Sequence, residues 1–156
     1  GMPKKTDMRR VDVFAHLDPE QAKRILTLGE RRVVPAGTLL GHADELPTTF
    51  YVIFIGQAEL SYGGQSGEIA VRLAGPGESF PWAALRGSAT LVTNCRARTD
   101  MEVAAIPIAD LTALCDDDPV LGMCFFRGVM DQFAGQYGRT LAMLAANMEQ
   151  ELAGIQ

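Results

Sequence analysis

The sequence is poor in the residues that build metal sites and disulfides. It has three cysteines, Cys95, Cys115 and Cys124, and two histidines, His16 and His42. The cysteines form no CxxC pair, and an odd number of widely spaced cysteines favours reduced thiols in a cytosolic core over disulfides. Because so few ligands are so widely dispersed, the sequence predicts no metal site.

Positive charge is also scarce. Lys and Arg number 14 against 19 Asp and Glu, so the formal net charge is −5. Binding to a nucleic-acid backbone needs clustered Lys and Arg, and the sequence has one such cluster, in the polar stretch from Lys4 to Arg10. We therefore expect no direct contact with nucleic acid, and we interpret residues 1–12 as a flexible N-terminal arm.

Long hydrophobic runs and catalytic motifs are missing as well. No apolar run approaches the roughly 18 residues of a membrane span, and the start of the sequence does not resemble a signal peptide. No serine or cysteine stands in a nucleophile motif, and neither histidine has an evident catalytic partner. We expect a cytoplasmic protein without membrane contact or enzymatic activity, folded as one domain over residues 13–156.

What is present is a change of hydrophobic period along the chain. Asp18, Pro19 and Gln21 predict a capped helix start, and the period changes from Arg32 onward. Short β-branched or aromatic runs closed by turn residues then continue to Ile106 and predict a small antiparallel β sandwich or barrel. The best hairpin turn, at Gly63-Gly64 and Gly67, joins the runs 58–62 and 68–73.

Helical patterns return after Ile106. The run Asp116-Asp117-Asp118 before Pro119 lacks the ligand spacing of a calcium loop, so it predicts the end of one helix and the cap of the next. The last helix extends over about residues 119–152. Its apolar residues recur at steps of three and four and form one stripe: Phe126, Met130, Phe133, Tyr137, Leu141, Leu144, Met148 and Leu152.

Glycines interrupt this last helix at positions 122, 128, 135 and 138. Each lowers helix stability by roughly 1 kcal/mol relative to alanine. Glycine is favoured despite this cost where a neighbouring segment packs very close to the helix backbone. The helix is either a single bent core helix or one that pairs with the same helix of a second subunit. A stripe this long exceeds what a small β-roll can cover, so we favour the homodimer.

Several short segments, in this order, resemble the cyclic nucleotide-binding domain family, which includes the sensor domains of Crp/Fnr-type regulators. They are Val34-Pro35-Ala36-Gly37, Phe50–Ala58, Gly75–Phe80, and Cys95-Arg96-Ala97 with Glu102-Val103. The resemblance implies a mainly β fold, an antiparallel β-roll or jelly roll with flanking helices and a long C-terminal helix. It also implies a ligand cradle whose occupant repositions that helix, often at a dimer interface.

In the family the cradle binds a cyclic phosphate through a glycine amide, a glutamate and an arginine. Aligning Phe80 with the family's phenylalanine places Pro81 at the glycine and Trp82 at the glutamate, and counting back from Cys95 places Leu91 at the arginine. Proline has no N–H, and neither tryptophan nor leucine can replace the charged groups. We therefore expect weak or no binding of cyclic AMP and cyclic GMP, and no cofactor.

Candidate ligand contacts remain in the cradle. Trp82 either stacks on a planar ligand or plugs the empty pocket, and Arg86 is either a solvated loop residue or a cation that turns inward. Arg96 lies on a strand where it is expected to be exposed. The predicted cradle residues are Glu78, Ser79, Trp82, Ala83, Arg86, Ser88, Leu91 and Val92.

Three functional hypotheses follow. The first is a regulatory sensor domain for an unidentified small effector, which signals through its last helix. The second is a ligand-free dimeric module that recruits a protein partner. The third, a redox sensor, is disfavoured because the aspartates after Cys115 raise a thiol pKa. Since no helix-turn-helix pattern follows the last helix in this sequence, we expect any control of transcription to act through another protein.

Overall fold

The β-roll predicted from the sequence is confirmed. The structure is a computed structural model that describes residues 11–155. Within that range two antiparallel four-stranded sheets face each other, with strand orders β1-β8-β3-β6 and β2-β7-β4-β5. The strands are β1 (Glu30–Val34), β2 (Leu39–Gly41), β3 (Thr49–Ile55), β4 (Ala58–Gly64), β5 (Gly67–Ala74), β6 (Ser79–Phe80), β7 (Asn94–Ala97) and β8 (Met101–Pro107).

Helices flank the roll at both ends of the chain. They are α1 (Pro19–Leu26), α2 (Ile108–Asp117) and α3 (Pro119–Ile155), with short 3₁₀ helices at Asp12–Phe14 and Trp82–Arg86. No helix in residues 11–155 combines the length and hydrophobicity needed to cross a membrane.

The predicted helix caps are present. The Asp18 carboxylate accepts a hydrogen bond from the Gln21 backbone N–H at 2.8 Å, and the Asp18 N–H donates to the Gln21 side chain at 3.0 Å. Asp118 accepts from the Leu121 N–H at 3.2 Å, and Arg24 donates to its other oxygen at 2.6 Å. The reciprocal bonds between Asp18 and Gln21, and the bond from the Leu121 N–H to Asp118, satisfy N–H groups that a helix start otherwise leaves without acceptors.

Strand β3 joins the two parts of the core. Its side chains alternate between the faces of the sheet, so Tyr51 and Ile53 pack inside the roll whereas Phe50 and Val52 pack against the helices. Because both faces are buried, β3 fixes the helices to the roll. The helix layer includes Val11, and the Asp12 N–H donates to the Gly77 carbonyl at 2.8 Å, so these two residues are part of the folded unit.

Helix α3 divides into a packed half and an exposed half. A Cβ atom built on Gly122 would lie 2.8 Å from the Cys115 carbonyl oxygen, and one on Gly128 would collide with the Val13 carbonyl oxygen. The close packing predicted from these two glycines is therefore found inside the chain. Gly138, by contrast, has no atom within 4 Å of such a Cβ position, and the predicted stripe from Phe126 to Leu152 is exposed by 44–64%.

Candidate functional site

A cavity of about 390 Å³ lies between the β4–β5 hairpin, the 3₁₀ helix at Trp82–Arg86 and α3. Both the roll and the long helix contribute walls, so an occupant of the cavity touches both. The lining residues are Leu60, Val71, Arg72, Pro81, Trp82, Ala83, Arg86, Leu91, Val92, Thr93, Phe133, Gln136 and Thr140.

The structure brings together part of the predicted cradle. Among the predicted residues, those that line the cavity are Trp82, Ala83, Arg86, Leu91 and Val92. Glu78, Ser79 and Ser88 do not line it. Glu78 accepts from the Gly75 N–H at 2.5 Å, Ser79 is buried behind the wall, and Ser88 is exposed.

The main cationic group of the cavity, Arg72 of β5, was not predicted from the sequence. Its side chain is only 8% exposed. One Nη2–H donates to the Ser79 carbonyl at 2.7 Å, and the guanidinium carbon lies 3.8 Å from the centroid of the Trp82 ring. Its Nε is buried and has no hydrogen-bond partner among the described residues.

The pairing of β5 explains why Arg72 was missed. Along this strand the large apolar residues Ile69 and Leu73 occupy alternate positions and would be expected to face inward, yet they are 61% and 46% exposed. Arg72 instead pairs with the inward-facing Leu60, next to a register shift that leaves Val71 without a partner. The small residue Ala74, which is buried two positions after Arg72, was the available signal, because a small neighbour makes room for a large buried side chain.

Burial of Arg72 lowers its pKa but leaves the guanidinium charged at neutral pH. Desolvation lowers the pKa of the guanidinium to about 10, partly offset by the negative charge of Glu78. Arg72 is therefore still protonated at neutral pH, and among the described residues no carboxylate lies within ion-pair distance of it. The cavity thus contains a buried cation that is only partly compensated.

Trp82 lines the cavity and connects it to α3. Its Nε1–H donates to the Ser79 hydroxyl at 3.0 Å, which fixes the indole beside Arg72. The ring makes an edge contact with Phe133 of α3, with centroids 6.1 Å apart, and Phe133 stacks on Tyr137 at 6.5 Å. A contact path therefore runs from Arg72 through Trp82 to the exposed stripe of the long helix.

The positions that the family resemblance aligns with the cyclic-phosphate contacts are occupied by Pro81, Trp82 and Leu91, which all line the cavity. Pro81 and Leu91 are wall residues without a donor or a charge, and the backbone N–H of Leu91 donates to the Glu45 carbonyl at 2.9 Å. Arg86 stands in the wall but is exposed, and Arg96 is exposed as predicted and donates to the Gly37 carbonyl at 2.8 Å. The polar groups of the cavity are therefore arranged differently from the pattern that the family alignment implies.

Two of the three cysteines, Cys95 and Cys115, are buried. Burial raises the pKa of the Cys95 thiol to about 11, and burial followed by the charges of Asp116 and Asp118 raises the pKa of Cys115. The direction predicted for Cys115 is confirmed. In residues 11–155 no group of His, Cys, Asp and Glu is arranged to hold a metal ion.

Comparison with known proteins identifies the family. The family model named cyclic nucleotide-binding domain matches residues 31–118, more than half of the chain. The chain belongs to this family.

Solved structures show the same fold. The c-di-GMP-responsive global regulator CLP of Xanthomonas campestris matches with a TM-score of 0.73 at 21% identity, over 82% of this chain and 63% of that one. The catabolite activator protein of Thermus thermophilus matches with a TM-score of 0.70 at 24% identity, over 86% of this chain and 63% of that one.

A curated relative of higher identity is much longer than this chain. An uncharacterized NTE family protein of Mycobacterium tuberculosis is 32% identical over 112 residues, which is 65% of this chain and 19% of the relative. The chain therefore spans about a fifth of the length of the curated relatives it matches.

Proposed function

We propose that this chain is a regulatory sensor domain in which a small effector enters the cavity and changes the contacts of α3. The observation that carries the proposal is that Trp82 of the roll and Phe133 of α3 touch each other in the cavity wall. An effector bound there contacts both elements, so its binding energy can favour one position of the helix over another. Among the described residues that line the cavity, none has a carboxylate, imidazole or thiol, which supports a role in binding rather than in catalysis.

The effector of this sensor is not a cyclic mononucleotide held in the usual way. Pro81, Trp82 and Leu91 remove the amide, carboxylate and guanidinium contacts that such a ligand uses. The c-di-GMP-responsive regulator with the same fold supports the view that this fold can serve effectors other than cyclic AMP.

The output of the sensor is a homodimer formed through α3. At a rise of 1.5 Å per residue the helix is about 55 Å long, and beyond Met130 its large apolar side chains are exposed. A second copy of the same helix would cover that stripe, because self-complementary apolar faces are the usual basis of twofold dimers. The effector would then act on helices that meet beside the cavity.

A second candidate function is a ligand-free module that recruits a protein partner. It is favoured by the outer face of the β4–β5 hairpin, where Tyr62 pairs with Ile69 and both side chains are more than half exposed. Under this alternative the cavity binds no effector, and the exposed apolar surface of the hairpin binds the protein partner.

The link between cavity and helix is tested by two substitutions on the same stripe. Phe133→Ala removes the contact with Trp82, so it should change both the fluorescence of this single tryptophan and the dimer dissociation constant. Met130→Ala is the matched control, because Met130 is 63% exposed and does not line the cavity. It should weaken the dimer and leave the Trp82 emission unchanged. If Phe133→Ala changes neither property, the proposed coupling is wrong.

A further inference from the structure

We propose that Arg72 is the anion-binding residue of the cavity and that the effector is an organic carboxylate with an apolar body. This inference rests on the proposed sensor function of the same cavity. It begins from a buried guanidinium, 8% exposed, whose Nε has no acceptor in the part of the chain that the structure describes.

The tryptophan beside Arg72 does not occupy the plane of its N–H groups. The indole of Trp82 covers a face of the guanidinium at 3.8 Å, whereas the N–H groups of a guanidinium lie in its plane. Of the five N–H groups of Arg72, one donates to the Ser79 carbonyl, and the buried Nε–H has no acceptor among the described residues. A carboxylate that approaches in the plane can accept from Arg72 through a charge-assisted bond without displacing the tryptophan.

The contacts that Arg72 makes within the fold leave part of the guanidinium without a partner. It donates one hydrogen bond to the Ser79 carbonyl and covers the Trp82 ring, whereas the buried Nε–H has no acceptor among the described residues, which costs stability. Perturbed buried charges of this kind, in a cavity, are typical of functional sites. Glu78 compensates the charge only from a distance, because its carboxylate is held by the Gly75 N–H.

The rest of the cavity wall indicates the class of ligand. The Gln136 amide donates to the Thr140 hydroxyl at 3.3 Å, and the Gln136 oxygen accepts from Arg139 at 3.1 Å, so both polar groups of Gln136 already have a partner on α3. The other walls are largely apolar, including Leu60, Val92 and Phe133. One buried cation and apolar walls fit a monoanion with a hydrophobic body, and they provide no acceptor for a sugar hydroxyl at Pro81 or Trp82.

The experiment compares acids with their neutral amides on the full chain at pH 7. The probes are phenylacetate and octanoate, with phenylacetamide and octanamide as isosteric controls, and the readouts are Trp82 fluorescence and titration calorimetry. At least one carboxylate should bind saturably and at least 10-fold more tightly than its amide, because a charged hydrogen bond is lost in the amide.

Substitutions then assign the effect to Arg72. Arg72→Met should abolish the discrimination between acid and amide, and Arg72→Lys, which keeps the charge but not the planar fork, should retain part of it. Arg86→Met removes an exposed arginine from the same wall and should leave the discrimination intact. Loss of the hydrogen bond to the Ser79 carbonyl is expected to lower the melting temperature of Arg72→Met, so the readout that assigns the role is the ratio of acid to amide affinity in folded protein. If that variant fails to fold, Arg72→Gln and Arg72→Lys provide the comparison.

The assignment is overturned if neither carboxylate binds, if acid and amide bind alike, or if Arg72→Met binds the acid as tightly as the original chain. The proposed sensor function is tested separately by the Phe133→Ala and Met130→Ala pair. The two proposals can therefore fail independently.

Discussion

The backbone of α3 at Gly128 lies directly against Val13, so closely that a Cβ atom at position 128 would overlap the Val13 carbonyl oxygen. This contact holds the start of the long helix to the N-terminal 3₁₀ helix, whose Asp12 N–H is bonded in turn to Gly77 in the turn before the cradle. The packed N-terminal part of α3 is therefore connected, through the 3₁₀ helix, to the turn at Gly77, which precedes β6 and the residues of the cavity wall.

Two glycine substitutions in α3 should have different effects on stability. Gly128→Ala should lower the free energy of unfolding by about 1–3 kcal/mol, because the added methyl group overpacks against backbone that cannot move easily. Gly138→Ala, where the surroundings are open, should leave it unchanged or raise it by up to about 1 kcal/mol. Urea unfolding of both variants measures the difference, and equal destabilisation would show that the two halves of α3 are packed alike.

The dimer should depend on the apolar stripe alone. Leu141→Glu places a charge on the stripe and should give a monomer at micromolar concentration, measured by light scattering. Ala146→Glu introduces the same charge at an exposed position on the opposite face of the helix and should leave the dimer intact. If the unsubstituted protein is already monomeric at that concentration, the proposed homodimer is contradicted.

Cyclic AMP and cyclic GMP should bind with dissociation constants in or above the high-micromolar range. Losing the arginine and glutamate contacts removes on the order of 3–6 kcal/mol, or two to four decades of affinity. Titration calorimetry measures this directly. Sub-micromolar binding of either nucleotide would show that another cation of the cavity wall replaces the missing contacts, and Arg72→Met and Arg86→Ala would show which.

The cysteines should react slowly with iodoacetamide in the native state. A raised pKa keeps the Cys95 and Cys115 thiols protonated at pH 8, and the thiolate is the reactive form. Cys124 is the least buried of the three and should be modified first, with Cys95 modified last. Mass spectrometry of a time course gives the order, and rapid modification of Cys95 would revive the redox hypothesis.

The cap at Asp118 should make stability depend on acid pH. The hydrogen bond from Arg24 holds the pKa of this carboxyl below its ordinary value. The ionised form therefore stabilises the folded state above the unfolded pKa, and that contribution is lost as the pH falls through the lower folded pKa. Asp118→Ala should be less stable than the original chain at pH 7, with a smaller difference near pH 2. Thermal unfolding at both pH values measures it.

Much of the fold was predictable because its signals are local. The capping residues Asp18 and Gln21 act within one helical turn, and the alternating runs and their glycine turns define strands without reference to distant residues. The absence of a donor at Pro81 and of a charge at Leu91 was also predictable from the sequence. Proline has no backbone N–H and leucine has no charge, whatever conformation the chain adopts.

Only the tertiary structure determined which face of a strand or helix is directed inward and which residues pack against it. The periodicity of β5 shows that Arg72 and Ala74 share a face, but only the pairing of Arg72 with Leu60 places that face inward. Likewise, a glycine in α3 indicates a close approach without naming the neighbour, and Val13, far away in sequence, supplies it at Gly128. Residue type and spacing act locally, whereas strand register and helix docking depend on segments distant in the chain.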